Sequence, residues 1–293
     1  MNTVSDRFKG IFTALLTPFD KNDRVNEKEL ERLVKFNVEM GVKGFYVDGS
    51  TAEAFLLTTD ERRQVMDVVK STAPECTLIA HIGSLNEAEA IKLGKHAKAL
   101  GYDAVSSVAP FYYKFSFEEI KNYYFRLATA SELPMLVYHF PAFSGVNMGV
   151  GEMKQFLDDE RFIGIKYTSN DFFTMEQCKS NFPSKVLYNG YDEMFLAGLS
   201  MGADGGIGST YNFMANKFVK IKELFDQNRI AEAQEIQRVA NHIITVLCKV
   251  GVMQAEKEVL SQLGFDFGVC RHPFGEPTDE QKALIAKEII PYV

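Results

Sequence analysis

Lys166 stands near the end of the run Phe162-Ile163-Gly164-Ile165-Lys166-Tyr167-Thr168, a cation among apolar and small residues. Alternation along an extended segment puts Gly164, Lys166 and Thr168 on one face and Ile163, Ile165 and Tyr167 on the other. The lysine therefore shares its face with small neighbours in what reads as a buried strand. Burying an ammonium costs free energy unless the group is paired or gives up its proton. An ordinary lysine, with a pKa near ~10.4, is neutral in about one copy in a thousand at physiological pH. A desolvated one titrating near ~7–8 is a usable nucleophile, and a neutral amine is what Schiff-base formation on a keto group requires. The competing reading is a lysine at a strand end that snorkels its head to water.

The elements that must position such a group repeat one unit. Short β-branched or apolar runs recur at residues 10–18, 44–49, 77–83, 104–110, 134–140, 162–168, 185–191 and 205–209, separated by amphipathic helical stretches. Thr58-x-x-Glu61, Asn86-x-x-Glu89 and Ser116-x-x-Glu119 fit the capping box or a close variant of it, and Gly41 and Gly101 sit where helices should stop. Eight strand–helix units fit a closed (β/α)8 TIM barrel better than an open sheet, and no GxGxxG follows the first strand. After about residue 214 the pattern is helical alone, over 231–250, 253–263 and 279–290. The expected organisation is an α/β barrel over residues 1–225 and a C-terminal helical extension over 226–293 packed on it, with no linker between them.

Composition narrows the class of function. A chain of 293 residues that is 46% hydrophobic has ample material for one large core. Its net charge of −7 offers no basic footprint for nucleic acid or for an anionic membrane surface. Residues 1–10 are polar and no apolar run approaches the ~18 residues of a membrane span, so neither a signal peptide nor a membrane anchor is expected. Cys76, Cys178, Cys248 and Cys270 are far apart and form no CxxC, which reads as reduced thiols in the cytoplasm. The histidines at 81, 96, 139, 242 and 272 lack metal-ligand spacing, and no metal is expected.

In a barrel the chemistry sits at the C-terminal ends of the strands. Those ends carry Asp48-Gly49-Ser50-Thr51-Ala52-Glu53, Tyr138-His139-Phe140-Pro141, Lys166-Tyr167-Thr168, Asn189-Gly190-Tyr191-Asp192-Glu193 and Gly208-Ser209-Thr210, which should converge on one mouth. Plainer roles compete for several of them. Ser50-x-x-Glu53 also spells a capping box, although amides exposed at a helix start bind carboxylates well. Tyr138 could be aromatic core with a satisfied hydroxyl, but it lies on the strand next to that of Lys166. Asp192 could be an N-cap. The glycine-rich segment 202–209 could cradle a phosphate, as barrels often do near strands seven and eight.

Taken in order, Gly49-Ser50-Thr51-Ala52-Glu53, Pro110-Phe111-Tyr112-Tyr113, Tyr138-His139-Phe140-Pro141-Ala142-Phe143-Ser144-Gly145, Gly164-Ile165-Lys166-Tyr167-Thr168, Gly190-Tyr191-Asp192-Glu193 and Gly205-Gly206-Ile207-Gly208-Ser209-Thr210 resemble the motifs of the class I pyruvate lyases related to dihydrodipicolinate synthase. Within that superfamily the chain most resembles the bacterial N-acetylneuraminate lyases, over essentially its whole length. The resemblance implies reversible cleavage of N-acetylneuraminate to N-acetylmannosamine and pyruvate, with no metal or organic cofactor, by homotetramers. Lys166 would form the Schiff base with the C2 keto group and Tyr138 would act as general acid/base. Ser50 and Thr51 would hold the pyruvate carboxylate, and Thr168 would help position the substrate. Gly190, Asp192, Glu193 and Ser209 match the positions that meet the polyhydroxy tail, with Gly208 and Met253 as further candidates. Tyr112 corresponds to a tyrosine placed near a neighbouring subunit's site.

The chain departs from the family at Ala52, where glycine is common, and at His139, where asparagine is common; the His139 side chain should face away from Tyr138. Phe143 stands where dihydrodipicolinate synthases typically carry an arginine for the carboxylate of aspartate semialdehyde. The alternatives on the same barrel are dihydrodipicolinate synthase, another aldolase of keto-deoxy sugar acids, and a non-catalytic sugar-acid binding protein.

Overall fold

The computed structural model describes residues 5–293. The chain alternates β1 (Gly10–Ala14), α1 (Glu27–Glu39), β2 (Gly44–Val47), α2 (Thr59–Thr72), β3 (Thr77–His81), α3 (Glu87–Leu100), β4 (Ala104–Val108) and α4 (Phe117–Ser131). It continues through β5 (Met135–His139), α5 (Pro141–Ser144), α6 (Val150–Leu157), β6 (Phe162–Tyr167), α7 (Phe172–Asn181), β7 (Val186–Asn189), α8 (Phe195–Ser200), β8 (Gly205–Gly208) and α9 (Tyr211–Asp226). Three further helices follow, α10 (Ile230–Val250), α11 (Val252–Gln262) and α12 (Asp279–Glu288). The eight strands are parallel and close in sequence order, β8 pairing back onto β1 through Phe12↔Ile207 and Thr13↔Gly208. This is the expected (β/α)8 barrel with C-terminal helices.

Two apolar layers hold it together. Phe12, Tyr46, Ile79, Leu136, Val186, Tyr188 and Ile207 point inward and fill the barrel, while the opposite faces of the strands bury against the apolar stripes of the surrounding helices through residues such as Phe45, Leu78, Val105 and Ile165. Helix starts at Thr58 and Ser116 form reciprocal capping boxes with Glu61 and Glu119. Asn86 caps α3 by accepting from the Ala88 amide, but Glu89 does not reciprocate: it binds the Thr59 hydroxyl and Lys92. Gly101 closes α3 in the left-handed conformation and Gly41 follows the end of α1 in the same conformation.

The ladders are shorter than the apolar runs. Strand one stops at Ala14 and strand two at Val47, and the residues beyond them turn into the loops that carry the polar groups. The glycine-rich segment is no phosphate cradle. Gly205–Gly208 is β8 itself, paired on both sides, and a Cβ on Gly205 would overlap the Gly10 carbonyl, so the glycine there lets two strands approach.

Candidate active site

Lys166 projects from the C-terminal end of β6 into the barrel. Its register partners are Tyr138 on β5 and Tyr188 on β7. The side chain does not snorkel: the residue is 4% exposed, and Nζ lies 4.1 Å from the centre of the Tyr46 ring and 4.2 Å from that of Tyr138. Burial pulls the ammonium down from its ordinary 10.5 to about 7, and the Asp192 carboxylate opposes that pull. The aromatic faces also favour the cation, by roughly 0.5–2 kcal/mol each. Desolvation wins, and Lys166 has an appreciable neutral population at physiological pH.

Tyr138 is buried beside it. Desolvation pushes its phenol far above the ordinary 10.0, and the neighbouring Ser50 and Thr168 hydroxyls act in the opposite direction. Its ring packs edge-on against Tyr46 and stacks on Phe140. Thr168 Oγ1 is buried and, apart from its proximity to the Tyr138 phenol, makes no well-formed hydrogen bond, so the hydroxyl has capacity left for a ligand. Gly190 makes room for it, since a Cβ at that position would overlap Thr168 Oγ1. His139, the next residue along β5, faces outward onto Tyr167, and burial lowers its imidazole to about 4.

The loop after β2 brings Ser50 and Thr51 to the cavity on a single turn of 3-10 helix, Ser50–Ala52. Ser50 does not cap this turn, and Ala52 has no positive φ, so alanine fits there without strain. The left-handed residue is Glu53, with φ +59°. Its carboxylate turns away from Ser50 to the buried Lys257 ammonium of α11, at 2.6 Å, and accepts the Arg271 amide at 2.7 Å. The capping-box reading of Ser50-x-x-Glu53 is thereby replaced by an ion pair that ties the C-terminal helices to the loop.

Across the mouth, Asp192 starts a short 3-10 turn after β7 and is no N-cap of α8. Its Oδ2 accepts from the Thr210 amide at 3.0 Å and the Thr210 hydroxyl at 2.7 Å, while Oδ1 is buried and unpartnered. Burial raises the carboxyl to about 6 against those two bonds. Ser209 donates to Glu256 of α11 at 2.6 Å. Burial lifts the Glu256 carboxyl to about 8.

Lys166, Tyr138, Ser50, Thr51, Thr168, Gly190, Asp192, Glu193, Ser209 and Met253 all line one cavity of about 260 Å³. Gly208 does not line it, but a Cβ there would overlap the Asp192 carboxylate, so its bareness seats that side chain. Tyr112 is 84% exposed with φ +77° and lies outside the cavity. Thr210, one of the strand-end candidates, lines the cavity as expected; sequence reading missed Tyr46 and Glu256, as well as Ile244, Leu247, Cys248 and Val252, through which α10 and α11 close the mouth. A larger, mostly apolar hollow of about 600 Å³ adjoins it and shares Ser50, Phe143 and Met253. Among the described residues no group of three histidine, cysteine or carboxylate side chains is placed to hold a metal. The chemistry this arrangement can do is amine attack on a carbonyl, proton transfer by a buried phenol, and hydrogen bonding to a carboxylate at one end and to hydroxyls at the other.

Comparison with known proteins gives one consistent result. Residues 7–290 match the Dihydrodipicolinate synthetase family. N-acetylneuraminate lyase 2 of Escherichia coli O6:H1 is 42% identical over 283 residues, covering 96% of this chain and 93% of that one. CdNal from Clostridium difficile, solved in complex with mannosamine, superposes with a TM-score of 0.95 at 40% identity over 98% of this chain and 99% of its own. The N-acetylneuraminate lyase of Fusobacterium nucleatum complexed with pyruvate gives 0.92 at 37% identity over 98% and 99%.

Proposed function

Because the chain belongs to the Dihydrodipicolinate synthetase family, we propose that it is a class I aldolase that reversibly cleaves N-acetylneuraminate to N-acetylmannosamine and pyruvate. One observation carries the reading: a buried amine with a pKa near 7 opens on a cavity whose far wall is Asp192, Glu193 and Ser209. The first part suits a keto acid and the second suits a chain of hydroxyls. The similarity to lyases of that name at 42% identity supports the same substrate.

In this reading Ser50 and Thr51 hold the substrate carboxylate, which brings C2 to Lys166. Neutral Nζ adds to the carbonyl. The carbinolamine then loses hydroxide, protonated by Tyr138 to water, which leaves an iminium cation beside a phenolate. Opposite charge at that distance favours the phenolate, offsetting the burial that keeps the resting phenol protonated. The phenolate takes the C4 hydroxyl proton, the C3–C4 bond breaks into aldehyde and enamine, and the electron pair neutralises the iminium. Protonation at C3 and addition of water release pyruvate. Thr168 positions the substrate, and Asp192, Glu193 and Ser209 accept hydrogen bonds from the sugar hydroxyls. We further propose a cytoplasmic homotetramer in which the exposed Tyr112 approaches a neighbouring subunit's site.

Phe143 favours this reading over dihydrodipicolinate synthase. It lines the cavity with an exposed ring set 4.2 Å from that of Phe140. An arginine there would grip a carboxylate with ~1.5–3 kcal/mol per charged hydrogen bond, whereas the ring offers only apolar surface. The test is kcat/KM for pyruvate release from N-acetylneuraminate against condensation of pyruvate with aspartate semialdehyde. Efficient cleavage with negligible condensation is expected; a preference for the semialdehyde would reverse the assignment.

A further inference from the structure

The buried apolar positions of α11 are Ala255, Val259 and Leu260, interrupted by Glu256 and Lys257. Lys257 is answered by Glu53. Glu256 is fully buried and faces no cation: among the described residues its side chain has one hydrogen-bond partner, the Ser209 hydroxyl at 2.6 Å, and Oε2 is buried with none. A leucine would pack the same stripe at no desolvation cost. The carboxyl at this position therefore marks a task other than packing. A serine hydroxyl has a single hydrogen to give. Donated to Glu256, it leaves only lone pairs of Ser209 for the cavity.

We propose that Glu256 is a positioning residue for tail recognition: by taking the Ser209 hydrogen it fixes that hydroxyl as an acceptor, so the site selects a substrate chain that presents a hydroxyl donor there. The inference rests on the reading of Ser209 as part of the sugar-tail wall. Glutamine keeps a carbonyl oxygen that can accept the Ser209 hydrogen, whereas methionine fills the volume but cannot accept the hydrogen bond usefully.

The experiment is steady-state kinetics in the condensing direction, with KM measured separately for N-acetylmannosamine and pyruvate on the native protein, Glu256→Met and Glu256→Gln. Glu256→Met is expected to raise KM for N-acetylmannosamine about three- to tenfold, the worth of one net hydrogen bond. KM for pyruvate should stay within twofold, and Glu256→Gln should restore the native value for the sugar. If Glu256→Met does not fold, Glu256→Asp, too short by one methylene to reach Ser209, reads the same contrast. An unchanged KM for the sugar, or a parallel rise for both substrates, overturns the proposal. A native protein that neither cleaves N-acetylneuraminate nor condenses its products overturns the function reading itself, a distinct outcome.

Discussion

Tyr138 and Lys166 are direct register partners across β5 and β6, and the lysine nitrogen rests 4.2 Å from the centre of the tyrosine ring. One backbone pairing thus places a proton donor and an amine at the same height in the barrel with no loop between them. Their buried layer, completed by Tyr46, excludes water from the amine and supplies the desolvation that makes it nucleophilic.

The first prediction is an acid limb near neutrality. The Lys166 amine titrates at about 7, is protonated below that and neutral above it. The pH profile of kcat/KM should therefore fall with falling pH through an apparent pKa near 7, about tenfold per unit below it. Asp192→Asn removes the charge that favours the ammonium and should shift the limb to lower pH. A native profile flat from pH 5 to 9 would argue against Lys166 as nucleophile.

Removing the amine should exchange activity for stability. A lysine at 10.5 unfolded and about 7 folded destabilises the native state, fully below pH 7, progressively less between 7 and 10.5, and not at all above. Lys166→Met should accordingly be inactive yet have a higher Tm than the native protein, the gain being larger at pH 7 than at pH 10. Thermal unfolding at the two pH values decides it; a lower Tm for the variant at both would mean that the buried amine is stabilised by its rings more than it is penalised.

The Glu53–Lys257 pair is the tie between the carboxylate loop and α11, with both side chains almost wholly buried. Removing one partner strands the other, so Glu53→Ala should cost about 3–5 kcal/mol in denaturant unfolding. Replacing both, Glu53→Gln with Lys257→Met, should recover most of that loss. A single variant within 1 kcal/mol of native, on the order of an exposed pair, would show that the pair does not hold the loop.

Legibility in the sequence followed the range of the interactions. Eight strands and their order were readable because alternation and helix caps are local signals, as at Thr58 and Ser116. Lys166 stood out because a charge inside an apolar run has few plain explanations. The capping-box alternative for Ser50-x-x-Glu53 stayed open in the sequence because the partner of Glu53 lies some two hundred positions along the chain, where no local pattern points back to it. Glu256 left one unread trace, a carboxylate within the apolar stripe of α11, whose meaning depended on which strand end that stripe would meet. Tyr46 gave none, because an inward tyrosine on β2 is indistinguishable from core until β6 places an amine over its ring.

The central claim is that Lys166 is the Schiff-base nucleophile. It is tested most directly by incubating the native protein with pyruvate and sodium borohydride, then locating the reduced adduct by peptide mass spectrometry. The account predicts a single stoichiometric modification on Lys166, absent from Lys166→Met. An adduct on another lysine, or undiminished cleavage activity in Lys166→Met, would contradict it.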